Sequence, residues 1–363
     1  MSDEHSEGQP ALQLPLLNLD IEPTNRCNAH CYFCPRDQTP HQGLMTPEVF
    51  DRALERTIEF GEVTQVRFGT RTKVNLCGLG EPLLNRNTPD FVRKVHDAGF
   101  EISVSSNGSL LDEKRGAALL EAGLQGIEIN AGDEGGDYDE IYGLPFEKTR
   151  DNVVRFAQMA GDQCQVRIVL VNHRRDPEHT AKMMQFWRDN GIDRFLPYDV
   201  MNRGGALFVD EMQYESFPER AEARWIFEER NVEPVCLAPF MLLFIGYDGQ
   251  YYLCCSDWKK EVPFGSVFET SFMAIMGDKL ERTATRMPIC KNCNHDPMNR
   301  LTEKLRDKAS GDTDEHGVER LIEELIEYDV RSRAIVHELA DFAPAARPGR
   351  RLIPVVAESD GAH

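Results

Sequence analysis

The chain has 363 residues, 41% of them hydrophobic, and carries 61 Asp plus Glu against 41 Lys plus Arg for a formal charge of -20. That apolar content suffices for one large domain and a smaller satellite, and the acidic balance opposes any partner held through a phosphate backbone, so no nucleic acid is expected. Residues 1–10 lack an apolar signal core and nowhere do eighteen apolar residues run together, so no membrane is expected either. A cytoplasmic chain with ten cysteines uses them for metal rather than for disulfides.

Apolar β-branched runs alternate with amphipathic helical stretches through the first two hundred residues. Strands are predicted at 16–22, 74–77, 101–105, 126–130, 166–171 and 194–198, with helices at 88–98, 112–122, 149–159 and 177–190 between them. Thr46-Pro47-Glu48 is a capped start for a further helix running to residue 60. Six strands with intervening helices imply a parallel sheet with right-handed crossovers, curved into a partial barrel, with its chemistry at the C-terminal strand ends. The acidic, glycine-rich run 133–138 reads as a solvated connection. After residue 201 the alternation stops, and a cysteine-rich segment at 235–296 suggests a small metal-organised module. A charged amphipathic helix follows at 317–342, then a tail rich in Pro, Arg and Gly. The expected division is a flexible start at 1–15, the barrel at 16–205, the metal module and its linker at 206–300, a helical extension at 301–342 and a disordered tail at 343–363.

Directly after the first strand comes Asn25-Arg26-Cys27-Asn28-Ala29-His30-Cys31-Tyr32-Phe33-Cys34-Pro35, a CxxxCxxC triplet. Three thiolates leave one iron of a four-iron cubane open, and an incomplete shell is what a metal centre needs in order to bind a substrate. Zinc, or thiols brought together by chance, is the alternative. Gly78-Leu79-Gly80-Glu81-Pro82 follows the second strand; Gly80 permits close backbone approach and Glu81 offers an anionic acceptor. Ser105-Ser106-Asn107-Gly108 ends the third strand and taken alone is an ordinary Asn-Gly turn. Cys236, Cys254, Cys290 and Cys293 have the form C-x17-C-x35-C-x2-C around a Gly246-Tyr247-Asp248-Gly249 hairpin turn, a pattern that a zinc ribbon also fits. Cys255 points to the opposite side of its strand from Cys254, as a core thiol or an exposed hydrogen donor, core packing being the simpler of the two. Cys77 and Cys164 read as small buried hydrophobes and His295 as a surface residue.

The run from Pro23 to Cys34 resembles the signature of the radical S-adenosylmethionine (SAM) superfamily. The resemblance implies that Cys27, Cys31 and Cys34 hold a 4Fe-4S cluster whose open iron chelates the amino and carboxylate groups of SAM, with Phe33 near the adenine. Gly80 and Glu81 match the family's GGEP element at the SAM amino group, with Leu79 replacing its first glycine, and Ser105 and Asn107 match the ribose position. The second cysteine group resembles the twitch module, the short form of the SPASM domain, which implies an auxiliary 4Fe-4S cluster on Cys236, Cys254, Cys290 and Cys293. No cysteine follows Cys293, so a second auxiliary cluster is not expected. The implied fold class is α/β: a partial (β/α)6 radical SAM barrel, then a small β-hairpin/helix twitch domain and a C-terminal helix.

Asn202-Arg203-Gly204-Gly205 looks like a loop of some SPASM and twitch enzymes that places Arg203 over the barrel mouth, where it could orient a polar substrate or assist its deprotonation; an ordinary loop arginine is the alternative. Tyr198, Asp199, Arg167 and Asn172 lie near other strand ends. The expectation is a SAM-consuming oxidoreductase that abstracts hydrogen from a small polar substrate and passes the second electron to the auxiliary cluster, as in dehydrogenation of a carbinol in an aminocyclitol, an amino sugar or a related natural-product precursor. A flavodoxin or ferredoxin is the implied reductant. The competing expectations are a radical epimerase with Cys255 or Cys77 as hydrogen donor, and an enzyme modifying ribosomal peptides. Many of the latter carry an N-terminal peptide-recognition domain, for which a first strand near residue 16 leaves no room.

Overall fold

A computed structural model of the chain describes residues 17–208, 213–260 and 263–340. Its elements run β1 Asn18–Ile21, α1 Pro47–Phe68, β2 Lys73–Leu76, α2 Thr88–Asp97, β3 Glu101–Ser106, α3 Glu113–Glu121, β4 Gly126–Asn130, α4 Gly135–Tyr142, α5 Phe146–Ala160, β5 Gln165–Asn172, α6 Pro177–Asp189 and β6 Phe195–Asp199. There follow α7 Arg220–Glu229, α8 Ala238–Met241, β7 Leu242–Ile245, β8 Tyr251–Tyr252, α9 Phe272–Ala284, α10 Pro288–Lys291, α11 Pro297–Ser310 and α12 Glu315–Ala340. One eight-stranded sheet has the order β6-β5-β4-β3-β2-β1-β7-β8, parallel throughout except for the last pair.

The two faces of that sheet differ because side chains alternate along each strand. Leu19 and Ile21, Val74 and Leu76, Ile102 and Val104, and Ile127 and Ile129 are buried in the main core with helix residues such as Phe50, Phe91 and Phe156. The opposite face carries Asp20, Asn75, Ser103, Ser105, Glu128 and Arg167, whose partners are one another. A polar interior face is therefore written into β1 to β5.

Four findings differ from the sequence reading. Helix α1 begins at the expected cap, with Thr46 Oγ1 accepting from Val49 N at 3.3 Å, but runs to Phe68 rather than residue 60. Gly61, which weakens a helix by about 1 kcal/mol relative to alanine, is tolerated because the Phe100 ring fills the space where a Cβ would come within 2.7 Å. The hairpin does not stand apart as its own sheet: β7 pairs in parallel with β1 from Asn18↔Leu242 to Ile21↔Ile245, so the C-terminal region completes the barrel sheet. The acidic run 133–138 is not a solvated connection, since Asp133 is wholly buried and α4 begins at Gly135. Helices α7, α9 and α11 were not foreseen; α7, α11 and α12 enclose a second apolar core of Ala223, Phe227, Leu301, Leu305, Val318, Ile322 and Leu325. The predicted flexible start and disordered tail lie outside the described residues. Among the described residues no helix is long and apolar enough to cross a membrane.

Candidate active site and two cysteine centres

The first centre hangs from the end of β1. Asn25 pins the loop at two points, Nδ2 donating to His41 O at 2.7 Å and Oδ1 accepting from Gly43 N at 2.8 Å, while Thr24 Oγ1 donates to Gly43 O at 2.6 Å. Gly80 closes it from the far side: Glu81 N donates to Arg26 O at 2.9 Å, and a Cβ on Gly80 would stand 2.3 Å from Thr24 O and 2.5 Å from Arg26 O. The glycine is required here for close approach. Cys27, Cys31 and Cys34 are half-buried and free. Burial pushes the Cys27 and Cys31 thiols up, and the neighbouring thiolate charges push them further. Bare, such thiols keep their protons; a bound metal cluster would draw the protons off, so binding there and deprotonation are linked.

The sequence-derived SAM contacts gather at this loop. Phe33 stacks on His173 at 4.9 Å between ring centroids and meets Tyr142 edge-on at 5.6 Å. Asn107 Nδ2 donates to Asn28 Oδ1 at 3.0 Å and approaches Cys27 Sγ at 3.9 Å. Glu81 is buried, with Oε1 accepting from Ser106 Oγ at 2.9 Å and Leu83 N at 3.0 Å and Oε2 accepting from Asn107 N at 2.7 Å. Its carboxylate thus joins two motif loops to each other. Ser105 turns instead into the polar interior, donating to Glu128 Oε2 at 3.1 Å.

His173 was missed by sequence reasoning, since a lone histidine at a strand end carries no pattern. Tyr32 OH lies 2.6 Å from its Nδ1, Asp133 Oδ2 lies 2.7 Å from its Nε2, and Arg174 Nε donates to Asp133 Oδ1 at 2.9 Å. This chain ties the cysteine loop to the ends of β4 and β5. Burial alone would raise the Asp133 carboxyl, but the hydrogen bonds and charges of His173 and Arg174 outweigh it and hold the group below its ordinary value. A depressed carboxyl contributes stability above the unfolded value near 4 and loses it as pH falls through the folded one. Asp133→Asn is therefore expected to lose about 1–3 kcal/mol at neutral pH, with the gap to wild type in urea midpoint narrowing below about pH 4.

The second centre gathers Cys236 before α8, Cys254 after β8, and Cys290 and Cys293 around α10. Burial raises all four thiols, Cys290 to about 12 and Cys293 to about 11; Cys236, Cys254 and Cys290 each feel the charge of others in the set, and Cys293 feels Asp296 and Cys255. His295 is exposed, yet its backbone serves two of them: N lies 3.4 Å from Cys293 Sγ and O accepts from Cys236 Sγ at 3.8 Å. Asn299, fully buried on α11, donates through Nδ2 to Lys291 O at 2.9 Å and Cys293 O at 2.8 Å, fixing the CxxC knuckle. The loop after β6 locks onto the same knuckle. Asn202 Nδ2 donates to Asn292 O at 2.6 Å, Gly204 N–H donates to the Cys293 thiol, and a Cβ on Gly204 would lie 2.2 Å from Ile289 Cγ1.

The polar interior holds the remaining candidates. Arg203 Nη1 donates to Cys255 O at 3.3 Å, and Cys255 and Cys77 both sit within the electrostatic reach of Asp20. Arg167 Nη2 pairs with Glu128 Oε1 at 3.0 Å, and Tyr198 feels Glu128, Arg167, Asp20 and Cys255. Arg203, Cys255, Tyr198 and Arg167 thus come together, whereas Asn172 bonds Asp199 at 3.5 Å away from them. Cys77 was read as a hydrophobe but is half-buried in polar company; Cys164 is buried in the core as expected. Among the described residues no three His, Cys, Asp or Glu side chains stand close enough for a single metal ion. The donor chemistry fits iron-sulfur clusters: three thiols beside a glycine cradle in one case, four thiols in the other.

Comparison with known proteins agrees with this geometry. Residues 21–186 match the family described as the radical SAM superfamily, and residues 236–294 match the SPASM iron-sulfur cluster-binding domain. The GTP 3',8-cyclase of Acidothermus cellulolyticus is 27% identical over 59% of this chain and 60% of its own length. The chain spans about a third of the length of several archaeal relatives of that name, 35% in Methanothermobacter thermautotrophicus, and 54% of the one in Metallosphaera sedula. Native anSMEcpe with bound AdoMet has a TM-score of 0.55 at 14% identity, over 90% of this chain and 97% of its own, a likeness of fold. BtrN in complex with AdoMet and 2-DOIA aligns over 78% of this chain and 94% of its own at 19% identity and a TM-score of 0.49. The chain thus carries a radical SAM domain at residues 21–186 followed by a SPASM-type iron-sulfur cluster-binding domain at residues 236–294.

Proposed function

We propose that this enzyme dehydrogenates a carbinol of a small polar molecule, an aminocyclitol or amino sugar, consuming one SAM per turnover. The observations that carry the reading are the two centres, one of three thiols and one of four, and the polar sheet face that reaches Cys255 and Arg203 beside the second; we take that face as the wall of the substrate chamber. Cys27, Cys31 and Cys34 would hold a cluster that, with SAM, would supply the hydrogen-abstracting radical, and Cys236, Cys254, Cys290 and Cys293 would hold one that would supply an electron acceptor. The chain's own residues hold the target between them. Arg203 reaches the chamber from the loop that grips Cys293, so substrate placement and the second centre share one support. Asp20 and Glu128 favour a neutral or cationic substrate, and Arg167 is already paired with Glu128. That lining argues against a triphosphate such as the one in the relatives' name. A flavodoxin or ferredoxin is the reductant this reading requires, in a reducing, cytoplasmic setting.

Epimerisation is the second reading, favoured by the two half-buried non-ligand thiols, Cys77 and Cys255, in the chamber wall. The two separate cleanly. Reconstituted without oxygen and offered a panel of aminocyclitols, amino sugars and peptides, the dehydrogenase forms 5'-deoxyadenosine and a ketone one to one. Cys293→Ala is then expected to retain SAM cleavage better than ketone formation; equal loss of both, or solvent hydrogen in an unoxidised product, would discard the electron-acceptor role.

A further inference from the structure

Dehydrogenation of a carbinol releases a hydrogen atom from carbon, an electron, and a proton from oxygen, and nothing said so far receives the proton. Resting on the dehydrogenase reading, we propose that Asp20 on β1 is the base that takes the hydroxyl proton of the substrate. In the balanced step the C–H hydrogen atom goes to the 5'-deoxyadenosyl radical, giving 5'-deoxyadenosine. The remaining carbon-centred radical then gives its O–H proton to Asp20 and one electron to the oxidised auxiliary cluster, leaving the C=O double bond.

The chamber offers few other acceptors. Arg167 and Arg203 are permanently protonated guanidiniums. Burial raises the Cys77, Cys255 and Tyr198 groups, so they too keep their protons at neutral pH. Glu128 is engaged by Arg167 at 3.0 Å and Ser105 at 3.1 Å. Asp20 differs on each count. It lies on the polar face in register with Asn75 of β2 and Phe244 of β7, is 7% exposed, and takes hydrogen bonds from Cys77 and Asn75. No ion pair of Asp20 is present among the described residues.

Asn75 in turn is fixed by Ser103 Oγ at 3.2 Å and by its own bond to Ser105 Oγ at 3.3 Å, so the carboxyl is held from below by neutral donors. Burial, with the Glu128 charge added, lifts that carboxyl to about 7, against the opposing hydrogen bonds of Cys77 and Asn75. A base so poised is ionised often enough to accept a proton and basic enough to keep it. The facing groups are Asn75 on β2 and Cys77 after it, Glu128 from β4, Tyr198 from β6 and Cys255 after β8; Glu22, two residues along from Asp20, is taken up by Lys260.

Two readouts test this on the full chain. Infrared difference spectra of the unreconstituted protein from about pH 5 to about pH 9 should show a protonated carboxyl band that disappears with a midpoint near 7 and is absent from Asp20→Asn. Anaerobic turnover with 2-deoxystreptamine as probe should show Asp20→Asn still making 5'-deoxyadenosine while ketone falls by about 10²–10⁴-fold, with Asp20→Glu recovering part of it. Wild-type ketone yield per SAM should rise with pH through the same midpoint. A titrating band that survives in Asp20→Asn, or ketone formed by that variant at the wild-type rate, overturns the role of Asp20 and leaves the dehydrogenase intact. Solvent hydrogen incorporated into unoxidised 2-deoxystreptamine by the wild type overturns the dehydrogenase reading, and the proton acceptor with it.

Discussion

Alanine at Cys27, Cys31 or Cys34 is expected to abolish reductive cleavage of SAM and to lower bound iron from about eight to about four per chain. The expectation follows from the absence of a spare ligand around the loop. Glu81, a carboxylate whose charge reaches Cys27, already accepts three hydrogen bonds from Ser106, Leu83 and Asn107. His30 is turned to the Arg36 and Asp37 side, with Nδ1 3.2 Å from Arg36 Nη2. A centre that begins with three ligands and loses one finds neither of these two side chains free to restore it, whereas the four-thiol centre should keep its iron. Iron and sulfide counts with 5'-deoxyadenosine formation under dithionite check this. A variant that holds the full iron complement and still cleaves SAM would remove the triplet from the chemistry.

The parts of this site legible in the sequence are those built from neighbouring residues. The CxxxCxxC run, the glycine after β2 and the CxxC knuckle declare themselves by spacing, and the six parallel strands by alternation of apolar runs with helices. What stayed hidden is what depends on distant chain segments meeting. Asp20 and Glu128 are single acids on short strands, and only the register of β1 against β2 and β7 and of β3 against β4 shows that they share one face. The pairing of β7 with β1 joins residues more than two hundred positions apart and leaves no local trace. Asp133 sits in a run whose composition reads as loop, because the partners that bury it, His173 and Arg174, come from the end of β5. The cap signals of α9 and α11, Ser271 and Asp296, were present; they were absorbed into a module defined by its cysteines.

Lys260→Met is expected to destabilise the unreconstituted chain by about 3–5 kcal/mol. Glu22 at the end of β1 has a fully buried side chain and Lys260 is 7% exposed, and the two form an ion pair. The ammonium also lies over three rings, 5.1 Å from Tyr247, 5.3 Å from Tyr252 and 5.5 Å from Phe244. Glu22 further accepts from Leu79 N at 3.0 Å and Tyr247 N at 3.3 Å, so one carboxylate links the SAM-side loop after β2 to the hairpin that leads to Cys254. Removing the lysine leaves a buried carboxylate with only neutral donors, and that uncompensated charge, more than the lost attraction, sets the size of the effect. Glu22→Gln combined with Lys260→Met should therefore recover most of the loss, since the amide oxygen still accepts one backbone hydrogen bond and no charge remains to be solvated. Urea unfolding of the two single variants and the double variant decides it. A double variant as unstable as Lys260→Met would mean that the aromatic contacts of the ammonium, and not its partnership with Glu22, hold the hairpin against β1.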